Sequence, residues 1–240
     1  MSEVTTGRPA SEAPRICEFF AGQSAGFFVD VGACEPKAGS QTWLLEERGW
    51  SGLLVEAQGR YIERLRAERP RSKVVHAACA GPGHPDCVEF HLADVPTHSS
   101  LVTHLVDAGT RYIGTERVRA VTLDELLAEA AAPEVDFVSI DVEGTQFEVL
   151  QGFSLGRYRP KLLLIEDHLR NLRTHRHLCR QGYRLVKRTG LNNWYIPAGA
   201  PFGMSTAVER LRLWKKVWLN TPFRKLRLWR ERRAAARGGR

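Results

Sequence analysis

The chain has 240 residues, 43% of them hydrophobic and 26% charged, which fits one sizeable α/β domain with room for an appendage. No run of about 18 apolar residues occurs, so a spanning helix is not expected, and the five scattered cysteines lack CxxC spacing, which argues against a zinc site and for a reducing compartment. The net charge of +8 is unevenly placed: residues 203–240 hold 12 Lys/Arg against Glu209 and Glu231, whereas residues 1–202 hold 23 against 25 Asp/Glu.

The first fifteen residues are rich in Ser, Thr, Pro and Gly and lack an apolar signal core, so a loose N-terminus and no export are expected. "GFFVDVGA", Gly26 to Ala33, predicts a buried strand closed by Gly32. Ser40 can cap a helix through Trp43, Leu44 and Leu45 that Gly49 can end. "SGLLVEA" predicts a second strand ending at Glu56, "RYIERLRAERP" a helix stopped by Pro70, and "SKVVHAACAG" a third strand. Residues 81–110 are less regular, with a turn at "GPGHPD", a strand at "CVEFHLAD" and a polar loop with a short helix after it. Thr122 and Glu125 have capping-box spacing ahead of another helix. "VDFVSIDVEG" predicts a strand to Asp141 and a helix from about Thr145 that Gly152 can end. "KLLLIEDH" is a further strand, and "YRLVKR" and "NNWYIP" form a late hairpin at the sheet edge.

Strands alternating with helices require parallel pairing. The fold class expected is α/β: a Rossmann-like, doubly wound, mostly parallel sheet with a late antiparallel hairpin strand. The expected organisation is a flexible stretch over 1–15, the domain over 16–202 and a basic amphipathic tail over 203–240. Ligands in such sheets bind beyond the carboxyl ends of the strands. The residues there are Asp30, Gly32 and Ala33, then Glu56, His76 to Cys79 with Ala78 among them, Asp141 with Glu143, and Glu166 to His168.

A pyrophosphate-binding turn would show G-x-G-x-x-G, but Cys34 and Lys37 stand where the later glycines should be, and no Walker pattern exists. Asp30 ahead of Gly32 suits a cofactor with a cationic or amine end. Glu56, ending the next strand, can grip two ribose hydroxyls. An adenosine with a positively charged tail and no phosphate is S-adenosylmethionine. Taken singly, a D-x-G turn can be a tight turn and Glu56 a solvated strand end.

"GFFVDVGA", "SQTWLLEERGWSGLLVEA", "VTLDELL", "VDFVSIDVEGTQFEVLQGF" and "LLLIEDH" together resemble the FkbM-type methyltransferase family, over about residues 24–170. This is a branch of the Rossmann-like S-adenosylmethionine-dependent methyltransferases. The resemblance implies O-methylation of a sugar, glycolipid or polyketide-like acceptor, with cofactor contacts at Asp30, Gly32 and Glu56. The chain departs from the family at Cys34, Glu35 and Pro36, at Ala57, and at Gln146, where the family has an acid.

An alcohol acceptor must lose its proton near the moment of attack, which asks for a general base or a metal. Asp141 and Glu143 are candidate catalytic acids, and His168 a candidate base; His76 lies within an apolar run and fits a hydrogen-bonded core residue better. Asp141, Glu166 and Asp167 are hard oxygen donors suited to Mg²⁺, although Asp141 can equally bond amides at the next helix start and Glu143 can cap that helix. Ser99 and Ser100 in "THSSL" fit a cofactor- or acceptor-side loop or a plain polar one. His175 and His177, set among arginines, fit a solvated basic surface.

In the tail, Val208, Leu211, Trp214 and Trp218 fall on one helical face, and Phe223, Leu226 and Trp229 begin a second stripe after Pro222. This favours an anionic membrane surface as partner; packing of the first stripe on the domain, or RNA binding, are the alternatives. Nucleic acid is disfavoured as a partner of the domain by its net −2. The enzyme is expected in the cytoplasm, peripheral at a membrane if the tail docks there. A catalytically silent adaptor and an RNA methyltransferase are the competing functions. Nothing in the sequence reports an oligomeric state.

Overall fold

The computed structural model describes residues 12–102, 110–132, 134–167, 172–219 and 223. In chain order the elements are α1 (Ala13–Phe19), β1 (Phe27–Val31), α2 (Trp43–Glu47), β2 (Ser51–Glu56), α3 (Gly59–Glu68), β3 (Ser72–His76), β4 (Ala78–Cys79), β5 (Cys87–Ala93) and β6 (Tyr112–Val121). There follow α4 (Leu123–Glu129), β7 (Phe137–Ile140), α5 (Gln146–Gln151), α6 (Leu155–Tyr158), β8 (Leu162–Glu166), α7 (Arg173–Arg180), β9 (Tyr183–Thr189), β10 (Asn192–Pro197) and α8 (Ala207–Trp214).

Seven strands form one sheet in the order β3-β2-β1-β7-β8-β10-β9. The first five run parallel, and β10 pairs antiparallel with both β8 and β9. This is the expected mostly parallel sheet with its late hairpin. The hairpin enters with its second strand inside, so β10 is flanked on both sides and, of the two, β9 alone lies at an edge of the sheet. The sequence agrees: Trp194, Tyr195 and Ile196 of β10 are buried, while β9 carries four charged or polar residues.

Strand pleating sorts the side chains onto two faces. Phe28, Leu54, Phe137, Leu164 and Trp194 pack against α1, α2 and α3. Val29, Val31, Val55, Ile140 and Ile165 pack against α4, α5, α6 and α7. The result is three layers with the sheet in the middle. Helix α4 is started by the expected capping box, with Glu125 N–H donating to Thr122 Oγ1 at 3.2 Å and Thr122 N–H to Glu125 Oε2 at 2.7 Å. Helix α1 takes up residues 13–15, which composition had assigned to the loose N-terminus; Ala13 and Ile16 are buried, and Trp194 Nε1 donates to Glu12 Oε2 at 3.0 Å.

Two further features depart from expectation. "SKVVHAACAG" is broken after His76, and its second half, β4, joins a separate three-stranded sheet, β4-β6-β5. The ten-residue β6 went unseen because its centre, "GTERVR", is polar and only Val118, Ala120 and Val121 reach the core. No helix among the described residues is long and apolar enough to cross a membrane.

Candidate active site

One cleft lies at the carboxyl ends of β1, β2 and β7. It is lined by Val31, Gly32 and Cys34 after β1, Val55 to Gln58 after β2, Ala77 to Cys79, Phe90 of β5, Thr97, Ser99 and Leu101 of the irregular loop, and Asp141 to Glu143 with Thr145 after β7. Gly32, Glu56, Ala78, Asp141 and Glu143, all singled out from sequence, therefore meet in one place.

The floor is set by backbone geometry. Gly32 N–H donates to Val55 C=O at 2.9 Å, and Asp141 N–H to Val31 C=O at 2.9 Å, so β1 carries the turn between its two neighbours. Gly32 has φ +87, and a Cβ at that position would lie 2.0 Å from the Asp141 carbonyl oxygen. Only glycine permits both.

Glu56 is almost fully buried. Its Oε2 accepts Cys34 N–H at 2.8 Å and its Oε1 accepts Gln58 N–H at 2.7 Å. Burial pushes its carboxyl above the ordinary range while these amides pull it back. An ionised carboxylate has about four acceptor positions. With the amides of Gln58, Cys34 and Ala57 drawing on it, the capacity that remains suits ribose hydroxyls. Cys34, at φ +53, sits in the turn that brings its amide to Glu56. Opposite, Ala77, Ala78 and Phe90 give the cleft an apolar side.

Asp30 is placed differently. Pleating aims it away from the cleft, and its Oδ2 accepts the Thr42 hydroxyl at 2.8 Å. Burial raises its carboxyl to about 6, opposed by Thr42 and by Arg69 and reinforced by Asp141. Thr42 Oγ1 accepts Arg69 Nη2 at 3.0 Å, and Arg69 Nε meets Glu46 Oε2 at 2.7 Å. Asp30 thus sits in a buried network behind the cofactor turn and outside the cleft lining. Ala33 is likewise buried against the α2 side.

A folded-state value above the ordinary 3.8 means that Asp30 favours the fold below about pH 4, and that this contribution is lost as pH rises through about 6. Asp30→Asn keeps an acceptor for Thr42 and removes the buried charge. It is expected to raise unfolding stability by up to about 3 kcal/mol near pH 8 and by almost nothing near pH 4. Urea denaturation at the two pH values measures this; equal effects at both would contradict it.

At the rim, Asp141, Glu143 and Glu166 each offer a carboxylate oxygen, and these three lie within 4.8 Å of one another. Asp167, expected in this group, is not part of it: its pleat neighbour Glu166 faces the rim, while the buried Asp167 bears on His175 and Tyr195. Glu143 takes the place expected for Asp167. Its backbone is in the left-handed region, φ +43, followed by Gly144 at φ +107. Ser100 Oγ donates to its carbonyl at 2.7 Å and ties the serine-rich loop to this turn. Ser99 Oγ accepts Ala93 N–H at 3.0 Å. The charge of Glu143, after burial, also holds the Tyr112 hydroxyl above its ordinary range. His168 lies outside the described residues.

The other histidines separate clearly. His76 Nε2 lies 3.0 Å from Ala57 C=O and 3.2 Å from Glu116 Oε1, a hydrogen-bonded position at the end of β3. His175 corrects the expectation of a solvated surface: it is buried, its Nδ1 is 3.2 Å from Tyr195 Oη, and burial depresses its pKa. Sequence reasoning missed Cys34, Gln58, Phe90 and Tyr112 at the site, and Arg69 behind it. Cys34 and Gln58 stand in the turns directly after β1 and β2 but act through their backbone amides, which no side-chain pattern marks, whereas Phe90 and Tyr112 come from the second sheet and Arg69 from the end of α3.

A sheet of this order, with a turn after β1 that lacks the phosphate-binding glycines and a buried glutamate ending β2, is the arrangement expected of a Rossmann-like S-adenosylmethionine-binding fold. The Methyltransferase FkbM domain family matches residues 30–185. The chain belongs to that family. No curated protein matches its sequence. Solved structures similar to it include the METTL16 MTase domain, at 12% identity and TM-score 0.43, covering 76% of this chain and 64% of that one. A TehB-like SAM-dependent methyltransferase from Corynebacterium glutamicum has 11% identity and TM-score 0.41, covering 79% and 88%. The N-terminal domain of human METTL16 in complex with SAH has 13% identity and TM-score 0.40, covering 76% and 66%. The chain spans 64% of the length of the first of these.

Proposed function

We propose that the enzyme methylates a hydroxyl of a glycan, glycolipid or related secondary metabolite. The observation that carries this reading is the trio Asp141, Glu143 and Glu166 at the rim of the cleft. Three clustered carboxylates repel a polyanion such as a phosphate backbone, and they suit an uncharged, hydroxyl-rich acceptor. The cofactor, when bound, supplies a methyl group already activated on a sulfonium. Gly32 and Glu56, with the apolar side at Ala77, Ala78 and Phe90, fit its adenosine. Asp30 supports the turn from behind.

For an alcohol to attack, it must be held in line and relieved of its proton. Asp141 and Glu143 stand at the cleft to accept that proton, with His168 the alternative base. The same rim acids, Asp141, Glu143 and Glu166, would hold Mg²⁺, which would acidify the acceptor hydroxyl; Asp167 has no part in this.

The test is transfer of labelled methyl groups to a panel of hydroxylated glycans, glycolipids and small metabolites, with Mg²⁺ and with chelator. Label in an ether linkage supports the reading. Label in RNA alone, or in no acceptor at all, overturns it in favour of an RNA methyltransferase or a silent adaptor. Glu56→Gln sets an amide nitrogen against the Cys34 or Gln58 N–H and removes a charged acceptor. It is expected to lower cofactor affinity about 100-fold by calorimetry; unchanged affinity would remove Glu56 from the cofactor site.

A further inference from the structure

The segment after the domain carries a surface that the cleft does not use. Helix α8 is started by a capping box, in which Glu209 N–H donates to Thr206 Oγ1 at 3.1 Å and Thr206 N–H to Glu209 Oε2 at 2.8 Å. One side of it is held to the edge strand. Lys187 Nζ of β9 reaches Glu209 Oε1 at 3.1 Å and Met204 C=O at 2.9 Å, and Val217, just beyond the helix, is buried against Leu172 with Leu185 and Leu213. The other side presents Val208, Leu211 and Trp214 at three-residue intervals, 57%, 67% and 53% exposed. Arg210, Arg212 and Lys215 are exposed among them. The sequence beyond, residues 220–240, adds eight Lys/Arg against Glu231.

We propose that this face of α8 docks the enzyme on an anionic lipid bilayer. Two aliphatic side chains and an indole in a row suit the boundary between headgroups and acyl chains, where a shallow apolar insertion is matched by cations at headgroup level. The basic run that follows adds long-range attraction to the same surface. Single-stranded nucleic acid fits the row less well, because Val208 and Leu211 offer no stacking plane. Self-association through this face would bring Arg210, Arg212 and Lys215 against their own copies. Because α8 is pinned to β9, docking would hold the catalytic domain itself at the membrane surface.

The full chain is mixed with vesicles of phosphatidylcholine and with vesicles containing phosphatidylserine, then pelleted. Partition is expected to be ~10-fold or more stronger on the anionic vesicles and to weaken with salt. The combination Val208→Ser, Leu211→Ser and Trp214→Ser is expected to lower it ~10-fold or more, with melting temperature and cofactor affinity unchanged. Leu211→Ser alone carries the test if the triple variant folds poorly. Equal partition on both vesicle types, full binding by the serine variants, or binding to single-stranded RNA without binding to vesicles would each overturn the proposal. None of these outcomes depends on which acceptor is methylated.

Discussion

Gly32→Ala is expected to destabilise the domain by about 4 kcal/mol and to abolish measurable cofactor binding. Two costs add at this position. A non-glycine residue at φ +87 loses roughly 1–3 kcal/mol. The new methyl would stand 2.0 Å from the Asp141 carbonyl oxygen, and forcing extra volume into a packed position costs a further 1–3 kcal/mol or so. Relief requires β1 and β7 to part just where Asp141 N–H donates to Val31 C=O at 2.9 Å. The displacement would fall on the turn that carries the Cys34 amide to Glu56 and on the strand end that carries Asp141. A typical domain has only about 5–15 kcal/mol in hand, so the variant should melt far below the parent. Thermal denaturation and cofactor calorimetry measure the two effects; a loss under about 1 kcal/mol would mean that the turn has slack which its hydrogen bonds deny.

Much of this arrangement was legible in the sequence, for local reasons. Short apolar runs that end in a glycine or an acid mark parallel strands and their carboxyl ends together, so Gly32, Glu56 and Asp141 could be found before their neighbours were known. The Thr122 and Glu125 capping box is equally local. What escaped depends on contacts across the chain. Strand β6 is polar on its open side and reaches the core with three residues near its end. His175 looks like one cation among several in "RTHRH", yet it is on the buried side of α7 against Tyr195. Glu166 and Asp167 are adjacent and chemically alike. Only the pleat of β8 sends one to the rim and the other inward, and a one-residue uncertainty in where that strand ends exchanges them.

The rim and the cofactor turn are also coupled through charge. Asp141 raises the carboxyl of Asp30, while Arg69 lowers it. The cleft therefore gathers negative charge in front of the turn and keeps a compensating cation behind it. A sulfonium entering the cleft meets the field of Glu56, Asp141 and Glu143, with no Lys or Arg among the described residues of its lining. This favours a cationic cofactor and weakens retention once its charge is lost with the methyl group.

That hidden cation is the second position of large effect. Arg69 is almost fully buried and bonds through all three guanidinium nitrogens: Nε to Glu46 Oε2 at 2.7 Å, Nη1 to Pro36 C=O at 3.0 Å and Ser40 Oγ at 3.3 Å, and Nη2 to Thr42 Oγ1 at 3.0 Å. Its neighbour in sequence, Pro70, ends the helix, so nothing local distinguishes it from the solvated arginines of α3. Arg69→Met fills a similar volume but leaves the buried Glu46 without its cation, and breaking such a pair costs about 3–5 kcal/mol. Arg69→Lys should recover only a small part, since one ammonium cannot span the fork of acceptors. The loss should also depend on pH. Without Arg69 the Asp30 carboxyl moves further above its ordinary range, and its folded-state charge becomes a larger burden as pH rises. The gap between parent and variant should therefore widen from about pH 5 to about pH 8. The loop between β1 and α2 would lose its anchor at Pro36, Ser40 and Thr42 as well, so cofactor affinity should fall even where the variant remains folded. Urea denaturation at the two pH values, with calorimetry on the folded fraction, tests both. A pH-independent loss, or unchanged affinity, would reduce Arg69 to a packing residue and separate it from the cofactor turn.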